Sequence, residues 1–413
     1  MDIHIIGGCY REICHWPQID QVYGSGGRAA EVISQMSQQP GAHLHSSIDP
    51  KLQSSLEDKL AFLKCKTSFN EKSTTPVFEY DHPLAQPKIH PSRSIIEKQP
   101  KLAIELKVEN ALIFGTLDIQ SRVQAKKAVY DPQCSISPIP FLKTENSAEN
   151  LALVVNHSEA LSMYKGIHSD SDINTITTET VARALLDYEN ADVIVVKCGQ
   201  KGAFVQTKGE CAWVPAYKTK RIFPIGSGDC FAAAFSYFWI EEVLSPIEAA
   251  TKASVVTAFY VESRTYPSSS MVPDLLSKYQ PLPINKPKGR VYLAGAFFNL
   301  KEMWLVNQAY SALQNSGMDV FSPYHDVGPG PSEEVVHQDI KAIEECDCLY
   351  ALFDGKDPGT LFEIGYAIKC HKPVVIYSEN STEEELKMYE GTGCIIHSDF
   401  SSSIYHACWC LDE

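Results

Sequence analysis

Short apolar runs bounded by turn residues recur along the chain at 111–115, 127–130, 151–155, 193–196, 291–293, 348–353 and 374–377. Each has the length of a strand buried on both faces and is too short for a typical helix. Helical periodicity fills several of the intervals, including 178–188 and 304–315. Strands alternating with helices predict βαβ units and mostly parallel sheets, hence an α/β protein of Rossmann-like architecture. The pattern stops at residues 280–290, QPLPINKPKGR, which hold three prolines and no period; a new strand, VYLAGAF, follows at once. The expected organisation is a first domain over 1–280, a linker over 281–290 and a second domain over 291–413. Another irregular stretch, 83–100, predicts a loop or lid edge inside the first domain. No internal repeat is evident.

Composition narrows the function classes. A chain of 413 residues exceeds one ordinary core, and 44% hydrophobic with 21% charged residues excludes disorder over most of its length. The formal charge of −15 argues against nucleic acid as a partner, since phosphate backbones need a basic face, but leaves room for a nucleotide. Thirteen cysteines, an odd count in a large chain, predict reduced thiols and not a disulfide framework. The pairs Cys346/Cys348 and Cys408/Cys410 are spaced C-x-C without a matching histidine pattern, so a zinc site there is the lesser reading. Residues 1–16 read as a strand, IHIIGG, and polar residues, not as a leader peptide. The most apolar stretch, 231–240, is too short to span a bilayer. The expectation is a cytoplasmic protein with no membrane partner.

Residues 223–231, FPIGSGDCF, open an apolar helical run. A small-residue loop before a helix presents backbone N–H groups and the positive end of the helix dipole, which suits an anion. An aspartate there can take a proton from a hydroxyl attacking a phosphoryl group. By itself the motif reads more readily as a tight strand-to-helix turn. Its neighbours are NHSE at 156–159, KCGQKG at 197–202, DPQ at 131–133 and GGRAAE at 26–31, each after a strand or opening a helix.

This order and spacing resembles the PfkB/ribokinase family of sugar and nucleoside kinases over roughly residues 1–280. The resemblance implies a ribokinase-like fold, Mg-ATP as cofactor, an anion hole of Gly226, Ser227 and Gly228, and Asp229 as catalytic base. It places Asn156 and Glu159 in the magnesium and phosphate environment, and Gly199 and Gly202 beside the nucleotide. Gly26 and Gly27 would face the sugar. The chain has Glu31 where the family has asparagine, and Glu12 is the nearest acidic residue to the family's first-strand aspartate; both positions contact sugar hydroxyls, so the sugar stays open.

In the second half, residues 357–367 read DPGTLFEIGYA. Thr360 and Glu363 have the spacing of a capping box before an apolar helix, with Pro358-Gly359 as a turn. A strand ending in small residues (291–298) and an amphipathic stretch from Asp339 accompany it. Together they resemble the nucleoside 2-deoxyribosyltransferase family over about 290–400, which implies a flavodoxin-like domain without a cofactor. The resemblance makes Glu363 the nucleophile toward the anomeric carbon. It makes Asp357 a ligand of sugar hydroxyls with Gly359 beside it, Asp339 the group that protonates the base, and Tyr292 a neighbour of the nucleophile. A carboxylate near the anomeric carbon stabilises oxocarbenium character and can trap it covalently, while a second acid assists the leaving group. Ala296 replaces the family's proline, and 389–396 holds no counterpart of its C-terminal asparagine, which favours hydrolysis over base exchange.

The implied function is cleavage or transfer of an N-linked (deoxy)ribosyl group of a nucleoside or nucleotide, with phosphorylation of a related sugar or nucleoside, in a homo-oligomer. Two other readings stay open: a glycosyl enzyme whose kinase-like domain only binds or dimerises, and a nucleotide sensor without turnover.

Overall fold

The computed structural model describes residues 2–37, 41–134, 136–168, 176–284, 289–328 and 330–410. The chain divides into two compact units, Met1–Thr219 with Phe223–Ile284, and Asn285–Glu413 with Lys220–Ile222. Of the expected linker, Leu282 still donates its N–H to Ala216 O (2.8 Å) in the first unit, 285–288 lie outside the described residues, and Arg290 already begins a strand.

The first unit contains β1 (Ile3–Ile6), β2 (Arg11–Cys14), β3 (Ile19–Val22), β4 (Ala42–Ile48), β5 (Lys66–Glu71), β6 (Val77–Tyr80), β7 (Lys88–His90), β8 (Leu102–Phe114), β9 (Ile119–Asp131), β10 (Ser147–Asn156), β11 (Val193–Lys197), β12 (Ala203–Thr207) and β13 (Cys211–Val214). Nine of them form a sheet in the order β13-β12-β11-β10-β9-β8-β1-β4-β5, parallel from β11 to β5 and antiparallel at β12 and β13. Successive strand residues point to opposite faces, so each apolar run feeds two cores. Ile5, Leu112, Val154 and Val195 join one cluster, and Ile6, Ile113, Val155 and Val196 the other. This is why those runs are unbroken in apolar character.

β1 sits between β4 and β8, and the chain leaves it toward both sides of the sheet. A crevice opens at such a reversal, beyond the carboxyl ends of the strands. There Gly7 and Gly26 meet backbone to backbone: a Cβ on Gly26 would lie 2.8 Å from Gly7 O, and one on Gly7 2.8 Å from Gly26 Cα. A second sheet, β3-β2-β6-β7, forms a lid. The expected loop 83–100 therefore contains a paired strand, β7, and a short helix, Arg93–Ile96. A three-residue strand among prolines has no period to read.

The second unit has five strands, β14 (Arg290–Gly295), β15 (Asp319–Phe321), β16 (Cys348–Leu352), β17 (Val374–Tyr377) and β18 (Ile395–His397). Their order, β15-β14-β16-β17-β18, is all parallel and is the 2-1-3-4-5 flavodoxin arrangement. Its switch point lies between β14 and β16. All thirteen cysteines are free, and Cys348 and Cys410 meet in the core of this unit with sulfurs 2.8 Å apart. Among the described residues no helix is long and apolar enough to cross a membrane.

Candidate active sites

In the first unit, the helix Ser227–Ser236 begins after Gly226, whose φ of +78° suits glycine. Space demands it as well, since a Cβ there would lie 2.1 Å from Arg28 Nε. The first-turn N–H groups of this helix point where an anion would sit. Asp229, in that turn, is buried and accepts from Arg28 Nη1 at 3.0 Å and from the Gln133 amide. The same guanidinium grips Glu12 on lid strand β2, Nη2 to Oε2 at 2.6 Å and Nη1 to Oε1 at 3.1 Å. Arg28 is 1% exposed, so it neutralises two acids in a dry site. Burial pushes the Asp229 carboxyl up to about 6, with Glu12 and Asp131 adding to the rise and Arg28 and Lys197 opposing it.

A second ion pair lies alongside. Lys197, at the end of β11, binds Asp131, at the end of β9. Asn156 and Glu159 form a reciprocal capping box at the start of the helix His157–Ile167 (2.9 and 2.8 Å). Burial and the Asp131 charge push Glu159 up to about 7, while Lys197 pulls it down. Lys197 stays charged although burial disfavours it, because Asp131 and Glu159 raise its pKa.

These groups share a cavity of about 560 Å³ whose lining includes Glu12, Asp131, Asn156, Glu159, Lys197, Gly199, Gly226, Ser227, Gly228 and Asp229. That volume suits a small-molecule site. Gly26, Gly27, Glu31 and Gly202 are not among its lining residues. Gly26 packs under Gly7, and Gly27 faces Leu56. Glu31 pairs with Lys59 at 2.9 Å, and Gly202 turns at φ +87° against Val214 O. Sequence reasoning passed over Arg28, Gln133, Asp131 and Lys197, although all lie in the quoted motifs. For Asp131 and Lys197 the usable signal was a charge at the carboxyl end of a buried strand; Arg28, in the helix Gly24–Met36, and the uncharged Gln133 carried no such signal.

In the second unit, Asp357, not Thr360, caps the helix Pro358–Lys369: its Oδ2 accepts from Thr360 N at 2.9 Å. The capping-box reading of Thr360 and Glu363 therefore fails, and Glu363 is free for another partner on the next turn. That partner is the Tyr292 hydroxyl on β14, 2.6 Å from Glu363 Oε1. Burial pushes Glu363 up to about 8; Asp339 and Asp357 add to the rise, and Tyr292 opposes it. Asp339, on the helix Ser332–Glu345, is pushed by burial up to about 6, and its Oδ1 is buried without a hydrogen-bond partner. Tyr292 is itself raised far above the phenol range by burial and the Glu363 charge, so it remains a donor. Gly359 stands next to Asp357, where a Cβ would lie 2.9 Å from Asp357 Oδ2. Three acids and a phenol thus meet beside the switch point.

Fold and sites together define a tandem of two α/β units, each gathering acidic side chains at the carboxyl edge of a mostly parallel sheet. Residues 144–272 match the family model of pfkB family carbohydrate kinases, and residues 291–399 that of nucleoside 2-deoxyribosyltransferases; the chain carries a domain of each family. Among curated proteins, 5-dehydro-2-deoxygluconokinase of Listeria monocytogenes serotype 4a is 28% identical over 148 residues, 34% of this chain and 45% of that protein. Deoxyribokinase of Salmonella typhi is 32% identical over 101 residues, 23% of this chain and 32% of that protein. The chain thus spans less than half the length of these relatives. Among solved structures, ribokinase from Thermotoga maritima is 17% identical with a TM-score of 0.49, covering 67% of this chain and 99% of that one. Nucleoside kinase from Methanocaldococcus jannaschii is 14% identical with a TM-score of 0.46, covering 67% and 98%.

Proposed function

We propose that the second unit cleaves or transfers the N-glycosidic bond of a (deoxy)nucleoside or nucleotide, and that the first phosphorylates a related sugar or nucleoside. The observation that carries the first half is the Tyr292–Glu363 hydrogen bond, beside Asp339 with an unpartnered buried oxygen. The ionised Glu363 carboxylate attacks the anomeric carbon and forms an ester as the C–N bond breaks. Asp339 gives its proton to the departing base. Water, or a second base, then breaks the ester and restores the carboxylate. Tyr292 holds Glu363 in position, and Asp357 Oδ1 is left to face a sugar hydroxyl.

In the first unit, Asp229 is the base that takes the hydroxyl proton, and the first turn of its helix with Lys197 receives phosphate charge. Asp131, Asn156 and Glu159 supply oxygen donors of the kind a hydrated magnesium ion takes, so the residues present fit Mg-ATP. Bound there, Mg-ATP would supply the phosphoryl group. The grip of Arg28 on Asp229 favours a second reading, in which this unit binds a ligand without turnover.

The deciding experiment is time-resolved mass spectrometry of products from a nucleoside panel, with and without Mg-ATP. The coupled scheme expects base, ADP and a sugar phosphate, with free sugar appearing first and accumulating in Asp229→Asn. Early nucleoside monophosphate reverses the order of the two steps. Base release without any phosphorylated product leaves the glycosyl site alone and supports the binding reading.

A further inference from the structure

In β4, Ala42 and Leu44 join the core while the alternate positions, on the opposite face of the strand, are two histidines, His43 and His45. β1 pairs with it in parallel, and His4 stands opposite His43 in register. Three imidazoles therefore crowd one face of two neighbouring strands. His4 Nδ1 lies 2.9 Å from His45 Nε2, and one ligating nitrogen from each ring falls within 4.8 Å of the others. The rings of His43 and His45 are 4.1 Å apart at their centroids, and each lies 5.2 Å from that of His4.

Ordinary packing explains this poorly. Imidazole is a costly filler of a sheet face, and three in contact cannot all be charged. Burial holds all three rings below the usual histidine range; the neighbouring rings add to the fall at His45, which drops to about 4, while at His4 and His43 Lys66 adds to it and Asp2 opposes it. They are neutral at physiological pH, which is the ligand form of histidine. Tetrahedral zinc with bonds of about 2.0–2.1 Å sets nitrogen pairs roughly 3.3 Å apart, within the spacings found here. His43 Nε2 also bonds Ser68 Oγ on β5 at 2.8 Å, an outer contact of the kind that orients a metal-bound imidazole.

We propose that His4, His43 and His45 bind one first-row divalent metal ion of the zinc class on the face of the β1–β4 pair. His45 is 7% exposed, while His4 and His43 are half-buried, so the ion has a route in and its fourth position faces the open side. The site is separate from the phosphoryl-transfer cavity. None of the three histidines is among the lining residues of that cavity; His4 is about 10 Å along β1 from Gly7, while the main chain of His45 accepts from Gly7 N at 3.4 Å. A bound ion would tie β1 to β4, which are also joined by a 2.6 Å hydrogen bond from Ser46 Oγ, next to His45, to Gly7 O, just past the end of β1.

The test uses the full chain, stripped with chelator and dialysed against zinc, beside His43→Gln and the double variant His43→Gln/His45→Gln. The proposal expects about one more equivalent of zinc in the wild type than in either variant. It also expects zinc to raise Tm by a few degrees in the wild type only. Equal retention and equal Tm response in all three overturn it. Cobalt and copper substitution of the unmutated chain keeps the test valid if the variants fail to fold. Imidazole-nitrogen couplings in the copper resonance support the site; a thiolate-to-cobalt charge-transfer band without such couplings moves the metal to cysteine and overturns it.

Discussion

The phenol of Tyr292 donates a 2.6 Å hydrogen bond to Oε1 of Glu363, joining strand β14 to the helix Pro358–Lys369 across 71 positions of sequence. The bond favours the ionised carboxylate, while burial and the acids at 339 and 357 disfavour it; burial wins, leaving Glu363 at about 8. Glu363→Gln should abolish base release while the fold persists, as circular dichroism would show. Near-normal cleavage by the folded variant removes the nucleophile assignment.

The same substitution should stabilise the protein above about pH 4.5, by a margin that grows up to about pH 8 and then stays level. Between the unfolded value of 4.5 and the folded value of about 8, the native state holds more protons than the unfolded chain, so stability falls as pH rises through this window. Glu363→Gln removes that loss. Thermal melts should match at pH 4.5 and separate by about 1–2 kcal/mol at pH 9, less than the full shift implies because the site is part-exposed. Identical melts at both pH values would mean that Glu363 is not held protonated.

Rate should follow a bell. Turnover needs ionised Glu363 (about 8) with protonated Asp339 (about 6), so roughly one molecule in a hundred is competent at pH 7. The expected profile of kcat/KM rises to about pH 6, is flat, and falls above about pH 8. Tyr292→Phe removes a bond to the carboxylate, so the upper limb should move higher and the plateau drop by about tenfold per unit of that move. A plateau and limb unchanged in Tyr292→Phe would show that the phenol does not tune Glu363.

Much of the fold was legible because buried parallel strands are unbroken apolar runs; β11 and β16 are examples. The first half of β8, IELKVEN, escaped because its side chains alternate between buried and solvated positions beyond the apolar run that marked its end. Glu363 was legible from its motif, although its partner could not be read from spacing. Arg28 was not legible as a site residue: its contact with Asp229 spans 201 positions, and only the folded sheet brings them together.

That contact yields a fourth prediction. Arg28→Ala leaves Glu12 and Asp229 buried without their cation, and should destabilise the first unit by about 3–5 kcal/mol in denaturant unfolding. Asp229→Asn keeps a polar partner for Arg28 and should fold, lose any sugar-dependent ATP consumption, and retain base release. Undiminished ATP consumption in Asp229→Asn would remove it as the base.

The chain should also form a homo-oligomer. Phe298, Leu300 and Phe362 are exposed by 72, 82 and 56%, more large apolar surface than a small unit keeps bare without use. Light scattering should give at least a dimer, and Phe362→Asp with Leu300→Asp should shift it toward monomer. A fully active wild-type monomer at working concentration refutes the expectation.

The Gly7–Gly26 contact has a consequence for how this chain can drift over generations. Both partners are already the smallest residue available, and each would strike the other's main chain if enlarged. No compensating change at the second position can make room for a change at the first. Saturation mutagenesis should find both positions intolerant, singly and in pairs, so the joint is frozen whatever else in the chain varies.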